Sequence, residues 1–264
     1  MIRSKHLSMV AIGMAVLACV GQGHAATLFN ENFADISEWQ TGIFSSNPWT
    51  TTLNDGDETV VIAGDPFTMP SNNQVHPAGI TAAMNASTTL DVNLDVRLKT
   101  FATGNEFFYT LFSENPQVPG DISTITLNVR HPSNAASRSV NLLIRQATSP
   151  DPSDDITVFN SGFTTAALGD DGDPFPINVS RSGSGVWTVK VDGTQIISGS
   201  ESTLSTGLKI DFIRFQELAD SLGGAERRVF DNLSISTTII PEPGSIYLLG
   251  MGVLGLSSFR RRRI

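Results

Sequence analysis

The chain is poor in the residues that catalysis usually draws on. It has 264 residues, of which one is cysteine (Cys19) and four are histidine, and charged residues make up 16%. A lone cysteine excludes an internal disulfide and any cysteine-based metal cluster. Two of the histidines fall in the first 25 residues, so a zinc centre or a Ser-His-Asp triad in the rest would have to use His76 or His131, and neither lies in a telling motif. The glycine-flanked serine of hydrolases, Gly-x-Ser-x-Gly, is absent; Gly183-Ser184-Gly185 is too tight to serve. Between the two ends there is no sustained helical periodicity. These absences argue against an enzyme and against a helical fold.

What is present is concentrated first at the C-terminus. Pro241-Glu242-Pro243-Gly244 is followed by an uncharged apolar run from Ser245 to Phe259, then by Arg260, Arg261, Arg262, Arg263 and Ile264. The prolines stop a helix from extending upstream. Fifteen residues make a helix of roughly 22 Å at 1.5 Å per residue, short against a hydrocarbon core of about 30 Å. Arginines reaching up from the boundary make up part of the deficit. They also fix orientation, with the four charges in the cytoplasm and the body on the far side. An ordinary C-terminal membrane anchor is one reading. The other is a sorting signal that is held in the membrane and then cut. Pro241, Glu242 and Pro243, the short apolar run and the terminal arginines together resemble the PEP-CTERM sorting tail. That resemblance implies processing by an exosortase, a membrane transpeptidase-like enzyme of Gram-negative bacteria. It also implies an association with exopolysaccharide and biofilm.

The N-terminus agrees with export. Arg3 and Lys5 form a basic n-region, Met9 to Val20 an apolar h-region, and Gly23-His24-Ala25 a small-residue cleavage site, with the cut placed after Ala25. The expected partners are the Sec translocon and signal peptidase. A lipobox at Cys19 is the alternative, against which Leu17 is large for its position. The expected division is a signal peptide over 1–25, a body over 26–239 and a sorting tail over 240–264. Of the 17 basic residues, two lie in the leader and four in the tail, leaving 11; of the 26 acids, only Glu242 is removed, leaving 25, so the body carries about −14. Such a surface repels phosphate backbones and excludes nucleic acid as a partner.

The body reads as all β. Leu90, Val92, Leu94, Val96 and Leu98 alternate with Asp91, Asn93, Asp95, Arg97 and Lys99, the signature of a strand with one buried face. Ile125, Leu127 and Val129, then Val140, Leu142 and Ile144, repeat the pattern. Phe107 to Phe112 is apolar on both faces apart from Thr110, which predicts a central strand. Val186 to Val191, Asp192-Gly193 and Thr194 to Ile197 predict a tight hairpin. Alternation slips between Leu208 and Phe215, predicting a bulge near Phe212. Arg228 to Ser236 is the last expected strand, Asp220 to Ala225 a loop and Thr237 to Pro241 a linker. Many short strands between Gly, Pro, Asn and Asp predict a two-sheet antiparallel β-sandwich. Three stretches resemble concanavalin A-like lectin and glucanase jelly rolls: Asn30 to Phe33 with Trp39, Val186 to Gly193, and Val229 to Ile235. That resemblance implies a jelly-roll fold and a leaning toward carbohydrate.

Two acids have the wrong parity for solvent. Asp231 shares a face with Val229, Leu233 and Ile235, and Glu31 with Phe29 and Phe33. An inward carboxylate requires a partner, so Glu31 and Asp231 are candidate ligands for a structural Ca2+. Sheet-edge placement or backbone hydrogen bonds are the alternatives. Asp170-Asp171-Gly172-Asp173 and Asn54-Asp55-Gly56-Asp57 lack the glutamate of an EF-hand and read as turns. For a sugar, Trp49 is the candidate exposed aromatic. Arg97, Asn128, Arg130, Asn141 and Arg145 are the candidate polar contacts, a platform for an anionic polysaccharide if their strands pair. A plain solvated face is the competing reading. Asp91 and Asp95, four apart on a strand, stand roughly 13 Å apart, beyond the roughly 5 to 9.5 Å of glycosidase pairs. The function expected is therefore a non-enzymatic, exported, exosortase-processed protein, structural or carbohydrate-binding, passing transiently through the inner membrane to the cell surface or matrix. A polysaccharide-active hydrolase or lyase is the alternative.

Overall fold

The computed structural model describes residues 24–33, 40–41, 50–54, 57–64, 71–98, 106–113, 118–132, 134–151, 154–168, 174–218 and 224–239. The chain divides into two units, Thr27–Thr237 and the two ends, Met1–Ala26 with Thr238–Ile264. In chain order the strands are β1 (His24–Glu31), β2 (Gln40–Thr41), β3 (Thr50–Asn54), β4 (Asp57–Gly64), β5 (Ser71–Ala83), β6 (Thr88–Leu98), β7 (Glu106–Phe112) and β8 (Ile122–Arg130). They continue as β9 (Ser139–Gln146), β10 (Ile156–Asn160), β11 (Thr164–Thr165), β12 (Pro174–Arg181), β13 (Val186–Val191), β14 (Thr194–Ser200), β15 (Gly207–Leu218) and β16 (Gly224–Ile239). One turn of 3-10 helix spans Ala135–Ser137.

These strands make two eight-stranded sheets. The first runs β14-β13-β12-β6-β16-β4-β3, with β1 on β16; the second runs β10-β9-β8-β7-β15-β5-β2, with β11 on β9. The registers are antiparallel, apart from a parallel bridge between Leu208 and Ile122. This is the expected antiparallel sandwich. Its order places the first and last strands side by side, although they are far apart in sequence.

The alternation in the sequence builds the core. Leu90, Val92, Leu94 and Val96 of β6 are buried against Ile125, Leu127, Val129, Val140, Leu142 and Ile144 of the second sheet in one apolar cluster. Aromatic rings bridge the layers. Phe215 of β15 stacks on Phe230 of β16 with centroids 4.6 Å apart, and Tyr109 of β7 and Phe33 approach Phe215 at 5.2 and 6.2 Å. Burying each such ring contributes about 1.5–3 kcal/mol, which matters in a body with no disulfide.

β7 is central as expected, lying between β8 and β15, with Tyr109, Thr110 and Leu111 all buried. The hairpin turn has φ of 47° at Asp192 and 72° at Gly193, the type I′ geometry that suits right-twisted strands. The register of β15 against β5 breaks between Ile210 and Phe212, opposite Gly79 at φ 58°. Three expectations need correction. β16 begins at Gly224 and continues to Ile239, so part of the expected loop and linker is strand. Thr237 is buried within it. Finally, Asn232 has φ 51°, so alternation breaks there: Phe230 and Leu233, three apart, are both buried. The parity argument that turned Asp231 inward therefore fails.

Candidate functional site

The outer face of the second sheet is built by the residues that alternate with its core. On β8 these are Thr124, Thr126, Asn128 and Arg130; on β9, Ser139, Asn141, Leu143 and Arg145. The register sets Asn128 opposite Asn141, Arg130 opposite Ser139 and Thr124 opposite Arg145. On the other side of β8, Phe112 and Thr110 of β7 face Thr124 and Thr126, with Phe212 and Arg214 of β15 next in line. Phe112 and Phe212 stack at 5.6 Å, and the Arg214 guanidinium lies 5.0 Å from the Phe112 centroid. Thr110 and Asn128 are 2% and 8% exposed despite facing outward, so the face is deeply set there.

At the β9 end, a loop fastened to the sheet carries an exposed ring. Ser161 N donates to Leu142 O at 3.0 Å, and Leu142 N returns to Ser161 Oγ at 2.9 Å. Gly162, at φ 62°, donates to Asn160 Oδ1 at 2.9 Å, an Asx turn that glycine makes possible. Asn141 Nδ2 donates to the same oxygen at 2.8 Å. These bonds hold Phe163 over Arg130, whose guanidinium sits 3.4 Å from the ring centroid. The ring remains 41% exposed.

The expected contacts therefore separate. Asn128, Arg130, Asn141 and Arg145 share this face, whereas Arg97 lies on β6 in the other sheet. Trp49 lies outside the described residues, as do Trp39, Asp170 to Asp173 and Asp55-Gly56. Phe163, Asn160, Phe112, Phe212 and Arg214 were missed. The one signal for them was Asn160-Ser161-Gly162-Phe163, a glycine turn that ends in an aromatic.

The two acids have protein partners. Glu31 Oε1 accepts the Phe33 amide at 2.7 Å, and Oε2 is 3.9 Å from Nε2 of buried His76. Phe29 also meets His76, edge to face at 5.3 Å, so Glu31 does share the face of Phe29. Asp231 Oδ1 accepts the Asn232 amide at 2.8 Å, and Asn232 Nδ2 reaches Asp95 at 2.9 Å. Although β1 pairs with β16, no group of three or more His, Cys, Asp and Glu side chains that could hold a metal occurs among the described residues.

A different ionic centre is fully internal. Arg181 of β12 and Glu201 form a two-point pair, Nε to Oε2 at 3.1 Å and Nη2 to Oε1 at 2.8 Å. Trp187 Nε1 and the Ser205 amide also donate to Glu201, at 2.8 and 2.9 Å. Burial raises the Glu201 pKa, but the bonds from Arg181, Ser205 and Trp187 and the Arg181 charge outweigh it and hold the carboxyl below its ordinary value. Both charges lie away from solvent, so this centre holds the fold together. Both histidines of the body are also interior. His131 Nε2 meets Leu168 O at 3.1 Å, and its ring stacks with Phe175 at 6.4 Å.

Similarity to known proteins follows the same division between body and tail. The body has the fold of lectin-like and glucanase jelly rolls. It is similar to the globular domain of T. cruzi calreticulin, with a TM-score of 0.54 and 9% identity over 85% of this chain and 92% of that one. It is similar to a Bacteroides ovatus mixed linkage glucan GH16 in complex with G4G4G3G product, with a TM-score of 0.50 and 12% identity over 80% of this chain and 99% of that one. A Bacillus subtilis protein with a galectin-like fold matches at a TM-score of 0.45 and 12% identity, over 82% and 98%. No curated protein sequence matches the chain.

The particular identification comes from the tail. Residues 240–263 match the PEP-CTERM protein-sorting motif. Pro241, Glu242, Pro243 and Arg260 to Arg263 lie within that match and outside the described residues. The motif makes the chain an exported, exosortase-processed protein, secreted through a membrane-anchored precursor. No helix among the described residues is long and apolar enough to cross a membrane. Ala25, the expected cleavage position, is exposed in β1.

Proposed function

We propose that the body is a non-enzymatic carbohydrate-binding component of the cell surface or extracellular matrix, delivered by Sec and released from its precursor by exosortase. One observation carries this reading. The outer face of the second sheet gathers flat rings and planar hydrogen-bonding groups: Phe163 on Arg130, Phe112 on Phe212 beside Arg214, and the row Asn128, Asn141, Asn160. Sugar recognition needs that combination, because a pyranose offers an apolar ring face and an equatorial belt of hydroxyls. The B. ovatus neighbour, which holds a glucan product, lends support through the shared fold. The sorting tail supports export of this face from the cell, which the reading requires.

Binding without turnover fits the chemistry. His76 and His131 are buried, and Asp91 and Asp95 sit on β6 of the opposite sheet. The test pairs a glycan array with a reducing-sugar assay on the same purified protein. Saturable binding with no sugar release is expected. Release that disappears on mutating an acid would establish a hydrolase or lyase instead, and a silent array would leave a scaffold without glycan affinity.

A further inference from the structure

We infer that β1 latches the end of β16 and thereby sets the rate at which exosortase removes the tail. The inference is independent of the carbohydrate-binding reading. It rests on the sorting motif over residues 240–263 and on where two strands stop. β16 continues to Ile239, and Thr237 within it is buried. Ile240 is then the one residue before Pro241. Pro241 has no amide proton to give to a ladder, so pairing cannot run on into the motif. One extended residue spans at most about 3.6 Å, less than the roughly 4.8 Å between neighbouring strands. A transpeptidase-like enzyme must take the backbone on both sides of its target bond into its own cleft. Upstream of Pro241 that backbone is residues 237–239, which the sheet already holds. Sheet and enzyme therefore compete for the same three residues.

The sheet's hold on this end comes from both edges. β16 is an inner strand, with β6 along one edge and β4 along the other. Asn93 and Asp95 of β6 meet Ser234 and Asn232 of β16. β4 pairs with β16 from Gly224 to Phe230. β1 also pairs with β16, and Met1–Ala26 falls in one unit with Thr238–Ile264. The start of β1 thus accompanies the end of β16, beyond the stretch that β4 reaches. An end paired along both edges frays less readily than one paired along a single edge. β1 is itself seated by side chains. Leu28 and Phe29 pack on the core, and Phe29 meets His76 edge to face at 5.3 Å. Trimming Phe29 therefore loosens the latch and leaves the stacked Phe215 and Phe230 in place.

The experiment follows the full-length chain in its native host after a pulse of label and measures how fast the species that carries Arg260 to Arg263 disappears. A parallel host without exosortase should keep the tail throughout. Cleavage of a transiently opened chain tracks the population of the open form. A six-residue Gly-Ser linker inserted between Ile239 and Ile240 reaches about 20 Å and frees the upstream backbone without moving the motif relative to the apolar run. Processing of that chain should be about tenfold faster than the parent. Phe29→Ala should also speed processing, by about the same factor, and should add nothing in the linker-bearing chain. Gly199→Ala, on β14, destabilises the body away from β1 and should leave the parent rate unchanged; thermal melts identify any variant that fails to fold. A linker-bearing chain processed at the parent rate would overturn the latch. So would a Phe29→Ala effect of equal size with and without the linker, which would mean general destabilisation. Retention of the tail in every chain would overturn both the latch and the processing on which it rests.

Discussion

Removing Glu201 is the most demanding test of how this body stays folded without a disulfide. Glu201→Ala deletes the acceptor of four bonds between 2.8 and 3.1 Å, from Arg181 twice, Trp187 and the Ser205 amide. These losses do not simply add, because the largest is a single effect: Arg181, 1% exposed, becomes a buried charge without its counter-ion. Breaking a buried pair from one side costs about 3–5 kcal/mol, against a whole-domain stability of about 5–15 kcal/mol. With a urea m-value of about 2–3 kcal/mol/M, the midpoint should fall by about 1–2 M. Replacing both charges, as Arg181→Met with Glu201→Gln, should cost less than Glu201→Ala alone, since no ion is then left uncompensated. A midpoint for Glu201→Ala within about 0.3 M of the parent would refute the reasoning. The same centre fixes a pH dependence. The folded carboxyl titrates below its ordinary value of 4.5, so the unfolded chain takes up the proton first as the medium is acidified. The ionic contribution is thus complete above that value and is lost as pH falls through the lowered folded pKa. Glu201→Gln should flatten this part of the stability–pH curve.

Three further outcomes are expected. The Tyr109 hydroxyl is buried without a hydrogen-bond partner among the described residues, an arrangement that costs about 1–3 kcal/mol. Tyr109→Phe should therefore raise the melting temperature by a few degrees, and a fall would contradict the assignment. Phe215→Ala removes the ring that touches Phe33, Tyr109 and Phe230, and chemical denaturation should report a loss of about 3–5 kcal/mol. Two glycines separate backbone strain from crowding. Gly193→Ala meets no atom within 4 Å but keeps φ at 72°, costing about 1–2 kcal/mol. Gly199→Ala places a methyl 2.5 Å from Phe159 Cε2, so its cost should shrink when Phe159→Leu is added while that of Gly193→Ala does not.

Much of the fold was legible because period-two alternation is a local property. The runs through Val92, Leu127 and Leu142 announced buried faces, and Asp192-Gly193 announced its turn, without any knowledge of what lay opposite. What failed depended on a single backbone angle or on a distant partner. A left-handed residue at Asn232 shifts every side chain after it by one position, and asparagine occurs in too many places to flag it. The inward parity that drew attention to Glu31 also holds for Arg181, which shares the buried face of Phe175, Ile177 and Val179. That signal was readable, but its partner Glu201 lies beyond a hairpin and only pairing brings it near. The ligand face was half legible: Asn128, Arg130, Asn141 and Arg145 were on the page, while sheet assignment removed Arg97 and loop geometry added Phe163 and Asn160. The tail was legible throughout, since its chemistry lies in the order of prolines, apolar residues and arginines.

The most direct measurement is the intact mass of the protein recovered from its native host, taken together with the fraction that contains it. The account predicts material outside the inner membrane, beginning after Ala25 and lacking Arg260 to Arg263. A soluble cytosolic species that still carries Arg263 would contradict it.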